Sequence, residues 1–461
     1  MYISKRWLPV EFFNHYITRL ATSESLVMES SMYSPQWPYW RSPSSDSTNR
    51  SAVSTPATET CVLFGDEANA DIIDIPLNVQ YILVTGGLGF IGSHTSTELL
   101  KQGYNIIILD DLSNAFLSVF ERIKTLARRH HESEGTKCPS AQLHCIDYRD
   151  TASLRTILDA QAQHVTWQAS PRSNIAGVVH FAAFKAVEES IKQPLKYYAN
   201  NVSGLIDFTA LLGEYGIKTF VFSSSATVYG TIANRGVPLE EEHCVHRSEV
   251  LADDEGLLRT VESGSSGITN PYGRTKWMCE AILADLAFSD PEWRIVALRY
   301  FNPIGCDPSG LLGEDPKGVP TNLLPVVVKV ITGQMDRLSV FGADWDTQDG
   351  TAVRDFIHVT DLVKGHIAAL TAACRGELQE NFRTFNLGTG SGHTVMEVVT
   401  AMEQAFGRRV QTNIVGRRAG DVGSCVAVTR RSKQELDWKT EKSLADACAD
   451  IHNFLNIGGA F

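Results

Sequence analysis

From residue 78 onward, short apolar runs alternate with stretches whose apolar residues recur at helical spacing. The runs at 81–85, 106–109, 143–146, 178–181 and 220–222 are largely free of polar positions. Strands covered on both faces have this character. Residues 92–100, 117–129 and 154–161 read as the helices between them. The alternation predicts an α/β fold built on a doubly wound parallel sheet. In such sheets ligands bind beyond the C-terminal ends of the strands. Gly86, Asp110, Asp147, Ala182 and Ser225 all fall at such ends.

The first strand leads into Gly86, Gly87, Gly89 and Gly92, and a helix follows. A glycine turn opening a helix brings unpaired N–H groups together with the positive end of the helix dipole. A Cβ there would block the turn or the approach of a phosphate. Asp110 ends the next strand, about twenty residues on, where a Rossmann-like fold places the carboxylate for the adenosine ribose. Its charge and that of Asp111 repel a 2′-phosphate, so NAD is expected rather than NADP.

Composition narrows the setting. The chain has 461 residues, 43% hydrophobic, with a net charge of −12. That balance argues against nucleic acid or an anionic membrane as a general partner, and no apolar run is long enough to span a membrane. Nine cysteines without a C-x-x-C pair read as reduced thiols of a cytoplasmic protein, with no metal site. Residues 1–77 are expected to be a mostly disordered extension, rich in Ser, Thr and Pro over 31–60, with a short helix in the first 26 residues. Residues 231–269 are acidic and read as a surface insertion. His243, Cys244 and His246 lie within it as solvated loop residues rather than metal ligands, since no second ligand pair stands at metal spacing.

Asn270-Pro271-Tyr272-Gly273-Arg274-Thr275-Lys276 opens a helix, with Asn270 as its cap and Pro271 in the first turn. Tyr272 and Lys276 then share one face. A nearby ammonium favours the phenolate, making Tyr272 a candidate general acid and base. Ser225, on its strand end, can hydrogen-bond a substrate hydroxyl.

The segments TGGLGFIG, SSSATVYG, NPYGRTK and RYFNPIG together resemble the extended short-chain dehydrogenase/reductases, and more narrowly the UDP-glucose 4-epimerases. FKAVEESIKQPLKYYANNVSG, GEDPKGVPTNLLP, DGTAVRDFIHVTDLVKGH, FNLGTGSGHTV and RRAGDVGSC agree, so the resemblance covers about 79–456. It implies interconversion of UDP-galactose and UDP-glucose through a 4-keto sugar, with NAD held tightly and regenerated each turnover. Tyr272 and Lys276 become the catalytic pair, assisted by Ser225. NAD contacts fall on Gly86, Gly89, Phe90, Ile91, Gly92, Asp110, Asn114, Asp147, Tyr148, Lys185 and Phe301. UDP-sugar contacts fall on Asn201, Asn302, Asn322, Leu323, Arg354, Arg418 and Asp421. Cys425 stands where relatives carry either a bulky Tyr or a small residue, which implies room for an N-acetyl group.

Ala183-Phe184 and Glu188 depart from the family pattern beside Lys185. The domains expected are NAD binding over 78–302 and substrate binding over 303–461. Within the latter, a helix at 355–373 and a strand at 385–387 return to the large sheet. A homodimer is implied, paired through helices at 194–215 and 276–288. A dehydratase on this fold would need an Asp-Glu pair where Ala226-Thr227 stands. Epimerisation of another UDP-sugar, and a non-catalytic NAD-binding role, are the alternatives.

Overall fold

In the computed structural model the described residues are 62–63, 80–163, 172–252, 257–418 and 420–458. The expected disorder and short helix of the N-terminal extension fall outside them, Val62–Leu63 apart. The large sheet comprises β1 (Val62–Leu63), β2 (Tyr81–Thr85), β3 (Asn105–Leu109), β4 (Ala141–His144), β5 (Ile175–His180), β6 (Thr219–Ser223), β7 (Arg294–Tyr300) and β8 (Phe382–Leu387). Their order is β1-β4-β3-β2-β5-β6-β7-β8. All pairings are parallel except that of β1 with β4. The chain reverses its direction of travel across the sheet between β2 and β5, the place where such sheets hold ligands.

Strand residues alternate between two apolar layers, as the period of a strand requires. Ile82, Val84, Ile106, Ile108, Val296 and Leu298 join a core with α1 (Phe90–Lys101), α2 (Ser118–Glu134) and α7 (Val359–Arg375). Leu83, Ile107, Phe220, Phe222, Ile295 and Ala297 face α3 (Thr151–Gln161), α4 (Gly204–Glu214) and α5 (Pro271–Ser289). A third core packs α6 (Leu323–Ile331), α8 (Val395–Phe406) and α9 (Leu444–Gly458) with Ile304 and Phe356. A four-stranded sheet belongs to this half. Asn302–Ile304 pairs with Val353–His358, which also pairs with Gly392–Thr394 and Ser424–Cys425.

Three expectations change. The segment expected as one helix from 355 is strand through His358 and helix only from Val359, because the His358 ring caps the helix by accepting from Thr360 N–H. The helix expected over 194–215 is interrupted. Pro194–Tyr197 is α-helical, Tyr198–Ser203 is a π-helical turn, and α4 follows. The insertion is not all surface. Leu239, Glu241, Cys244 and Val245 are buried, while Val250 and residues 258–260 of the hairpin Glu249–Ala252/Leu258–Val261 are exposed.

Candidate active site

The glycine turn does what its sequence implied. Gly86 has φ +67°, and its N–H donates to Leu109 O at 2.7 Å, tying the turn to the end of β3. A Cβ on Gly92 would stand 2.1 Å from Gly86 O, and one on Gly89 3.3 Å from the same atom. Helix α1 starts at Gly89 without a side-chain cap, so its first-turn N–H groups are left for a ligand. A cleft of about 550 Å³ opens there, lined by Gly89, Phe90, Asn114, Lys185 and Glu314 among others. A cradle that only glycine permits, at a helix N-terminus, fits the pyrophosphate of a dinucleotide. Ile91 is half-buried against the first core.

Asp110 is buried, and its carboxylate accepts N–H bonds from Leu88 and Leu112, both at 3.0 Å. Burial pushes its pKa up and those bonds pull it back. Leu112 sits at φ 57°, a conformation bulky side chains avoid, so this turn is held under local strain. Asp147 is paired with its neighbour Arg149 at 3.0 Å. Its pKa is lowered because that guanidinium outweighs burial. The Tyr148 ring points into the core, its hydroxyl donating to Asn200 O and its ring edge-on to His180. Phe301 is buried with Tyr229 and Ala427. Lys185, half in solvent, lies 3.5 Å from Glu314.

Helix α5 begins as its sequence predicts. Asn270 Oδ1 accepts from Gly273 N–H at 2.8 Å, and Pro271 occupies the first turn. Tyr272 and Lys276 both lie within the fold against the end of β6. The Lys276 ammonium donates to Ser223 O and sits 4.7 Å from the Phe222 ring centroid and 5.9 Å from that of Tyr272. The expectation that Lys276 lowers the Tyr272 pKa does not hold in this state. Burial pushes the phenol up to about 12, and the relief comes from the Ser225 hydroxyl. Burial also lowers Lys276 to about 8, against Cys279 and Glu280. Desolvation of the charged form dominates at both positions. Ser225 Oγ meanwhile accepts from Thr227 N–H and Oγ1, at 3.3 and 3.0 Å.

On the opposite side the four-stranded sheet brings distant residues together. Arg354 and Cys425 are register partners. Asn302 sits on the neighbouring strand, its amide donating to Asp355 O at 3.0 Å. Arg418 reaches Asp421 at 3.0 Å, while its Nε is buried without a partner. Among the described residues Arg354 has one hydrogen bond, to its own Val353 O, and no carboxylate at ion-pair distance. Burial lowers its pKa, and Arg418 adds to that effect while Asp421 opposes it. Two under-used guanidiniums side by side suit a diphosphate. Burial raises Cys425 to about 11, a neutral thiol. Asn322 precedes Leu323 at the start of α6 and gives its amide to Glu314 at 2.8 Å.

Asn201 is buried, and its amide bonds the loop that carries Lys185. Oδ1 accepts from Phe184 N–H at 2.9 Å, while Nδ2 donates to Phe184 O at 3.0 Å and Thr275 Oγ1 at 3.1 Å. It thereby supports that loop. The departure at Phe184 is absorbed locally, its ring meeting Tyr197 at 5.7 Å and the Lys196 ammonium at 4.6 Å. Glu188 is exposed and pairs with Lys192.

The candidate metal residues have other uses. His243 accepts from Glu240 N–H, Cys244 donates to Val228 O, and His246 bonds Glu280. Among the described residues no three His, Cys, Asp or Glu side chains are arranged to hold a metal ion. Likewise, no described helix is long and apolar enough to cross a membrane.

Sequence reasoning missed Glu280 and Arg299, both fully buried and paired at 2.6 Å. A signal was there: each is a lone charge in an apolar run, one on a helix and one on a strand, and a buried charge needs a partner. Glu314 carried no such signal.

Known proteins place this arrangement. Residues 82–388 match the family model described as "NAD dependent epimerase/dehydratase family". UDP-glucose 4-epimerase of Dictyostelium discoideum is 42% identical over 376 residues, covering 82% of this chain and 96% of that protein. The human enzyme of that name is 40% identical, covering 81% and 95%. The bifunctional protein gal10 of Schizosaccharomyces pombe is 43% identical over 373 residues, and this chain spans only 47% of its length. The crystal structure of UDP-glucose 4-epimerase from Bifidobacterium longum, in complex with NAD+ and UDP, superposes with a TM-score of 0.68 at 38% identity, covering 82% of this chain and 98% of that one. The chain belongs to the NAD-dependent epimerase/dehydratase family, among the UDP-glucose 4-epimerases.

Proposed function

We propose that this chain interconverts UDP-galactose and UDP-glucose by oxidising and re-reducing the sugar at C4. One observation carries the reading. Tyr272, Lys276 and Ser225 meet at the tip of β6, in a fold that also carries a glycine cradle at the end of β2 and the neighbouring Arg354 and Arg418.

Gly86, Gly89, Phe90, Ile91 and Gly92 would hold the pyrophosphate of NAD. Asp110, Asn114, Asp147, Tyr148, Lys185 and Phe301 would frame the remainder. Bound NAD supplies a reversible two-electron acceptor, which lets C4 pass through a ketone and back. Tyr272 takes the proton of the 4-hydroxyl and later returns it. Ser225 orients that hydroxyl and steadies the phenolate. The Lys276 ammonium is anchored on Ser223 O beside Tyr272 and holds this end of the site together, while the Ser225 hydroxyl favours the phenolate against burial. Arg354, Arg418 and Asp421 grip the nucleotide diphosphate and its surroundings, with Asn302, Asn322 and Leu323 beside them. The anchored nucleotide leaves the sugar free to present either face.

The domain division at about 302 follows from these roles. The small Cys425 leaves room for an N-acetyl group, extending the range to UDP-N-acetylgalactosamine. Leu195, Ile206, Met278 and Phe288 are exposed apolar residues on the helices around 194–214 and 271–289, and they support a homodimer paired there. The free thiols suit a reducing cytoplasm.

The experiment is a coupled assay of UDP-galactose to UDP-glucose conversion with the NAD-loaded protein. Tyr272→Phe is expected to lose about 10²- to 10⁴-fold in kcat while retaining bound NAD. Near-normal turnover of that variant would rule Tyr272 out as acid and base.

A further inference from the structure

The three serines ending β6 each serve a different partner. Ser223 Oγ bonds the Tyr300 hydroxyl, and its carbonyl receives Lys276. Ser225 faces Tyr272 and Thr227. Ser224, fully buried, donates to Glu280 Oε1. Glu280 lies on α5 one turn beyond Lys276, so its carboxylate fastens the serine strand tip to the helix carrying the acid/base pair.

That carboxylate is itself held from two more directions. Arg299, on β7, donates Nε at 3.0 Å and Nη2 at 2.6 Å. The rest of its guanidinium goes to Cys244 O, Glu241 O and the Tyr229 hydroxyl. His246 Nε2 lies 2.7 Å from the other carboxylate oxygen. The His246 ring is stacked on Trp277, the neighbour of Lys276, at 3.9 Å and 24°. Arg299 and His246 hold Glu280 at about 2 although burial opposes the charge.

A buried ion pair is a weak source of stability, and well-packed apolar residues often serve as well. What this one does supply is fixed geometry. Ser224 lies between the carbonyl that takes the Lys276 ammonium and the hydroxyl that faces Tyr272. A shift of its backbone moves both at once. Misplacement of reacting groups by about 1 Å costs on the order of 100-fold in rate.

We propose that Ser224, Glu280, Arg299 and His246 form a positioning set for proton transfer, with His246 contributed by the segment expected to be a surface insertion. The four act through Ser225, Tyr272 and Lys276. The proposal rests on reading those three as the reacting groups.

The test uses the full chain loaded with NAD and compares Ser224→Ala, Ser224→Thr and His246→Gln with wild type. For each, kcat and KM for UDP-galactose, bound NAD per chain and UDP affinity are measured. Ser224→Ala is expected to lower kcat about 10-fold, with KM, bound NAD and UDP affinity within about two-fold. Ser224→Thr, which keeps the hydroxyl, is expected to recover most of that loss. His246→Gln, which keeps one donor toward Glu280, is expected to lower kcat about three-fold and leave binding alone. If Ser224→Ala does not fold, the His246→Gln and Ser224→Thr pair carries the same comparison. A kcat of Ser224→Ala and His246→Gln within two-fold of wild type overturns the proposal, as does a kcat loss matched by loss of NAD and of UDP affinity. A wild-type chain that holds NAD and UDP yet turns over no UDP-galactose overturns the reading of the site first, and this proposal with it.

Discussion

Arg299 and Arg354 both lie on strands, and their surroundings differ. Arg299 has no exposure, and its donors reach a carboxylate, a hydroxyl and two carbonyls. Among the described residues the Arg354 guanidinium has one hydrogen bond, to the carbonyl of the preceding residue, and it lies beside a second arginine. A charge with all its bonds made inside the fold holds the fold. A charge kept out of water without a partner is poised for something from outside. Arg299 has spent its charge internally, and Arg354 has kept its own.

The sharpest way to break that contrast is to remove each guanidinium in turn. Arg299→Met strands the Glu280 charge and is expected to cost about 3–5 kcal/mol in denaturant unfolding, with Glu280→Gln added in the same chain restoring much of it. Arg354→Met is expected to leave unfolding unchanged or slightly improved. Its effect falls on the substrate, with kcat/KM lower by about 10- to 100-fold and mostly through KM. If the two variants exchanged phenotypes, the contrast would be false.

Lys276 belongs to neither class, being buried with one carbonyl partner. Its pKa in the folded chain, about 8, lies below the ordinary value of 10.5. The unfolded chain therefore binds more protons between those values, and stability contributed at this position rises with pH across that window. Wild type compared with Lys276→Met should gain in relative stability from about pH 8 to about pH 10, measured by urea unfolding at each pH. A flat difference would place the ammonium in a better-solvated setting. The smallest effect expected is at Cys425. Cys425→Tyr should lower the ratio of activity on UDP-N-acetylgalactosamine to that on UDP-galactose by about 10-fold or more, leaving stability alone. Parallel assays on both substrates measure it.

Much of the cofactor side is local in sequence and could be read there. The strand 81–85, the glycine turn, Asp110 and the Asn270 cap all depend on neighbours within one strand–turn–helix unit. The substrate side could be placed only by resemblance, because Asn302, Arg354 and Cys425 meet through strand pairing across long stretches of chain. The same limit explains the misread insertion. Its acidic residues looked solvated, yet Glu241 is buried and accepts from Asn386 N–H, far along the chain. The internal bonds of Asn201 were equally hidden. Its partners at Phe184 and Thr275 belong to separate elements, and nothing at 201 announces that both ends of its amide are taken.

The π-helical turn at Tyr198–Ser203 has a consequence for how this chain can change. A π turn accommodates an extra residue within a helix, so deleting one residue there would let the ordinary pitch return. The turns on either side would keep their faces, while the residues now bulged out of the helix would be drawn back into it. Asn200 would leave the Tyr148 hydroxyl, and Asn201 would leave the loop presenting Lys185. Substitutions at these positions trim single contacts, whereas a one-codon deletion would misalign the whole set together. Length in this stretch should therefore be held more strictly than composition.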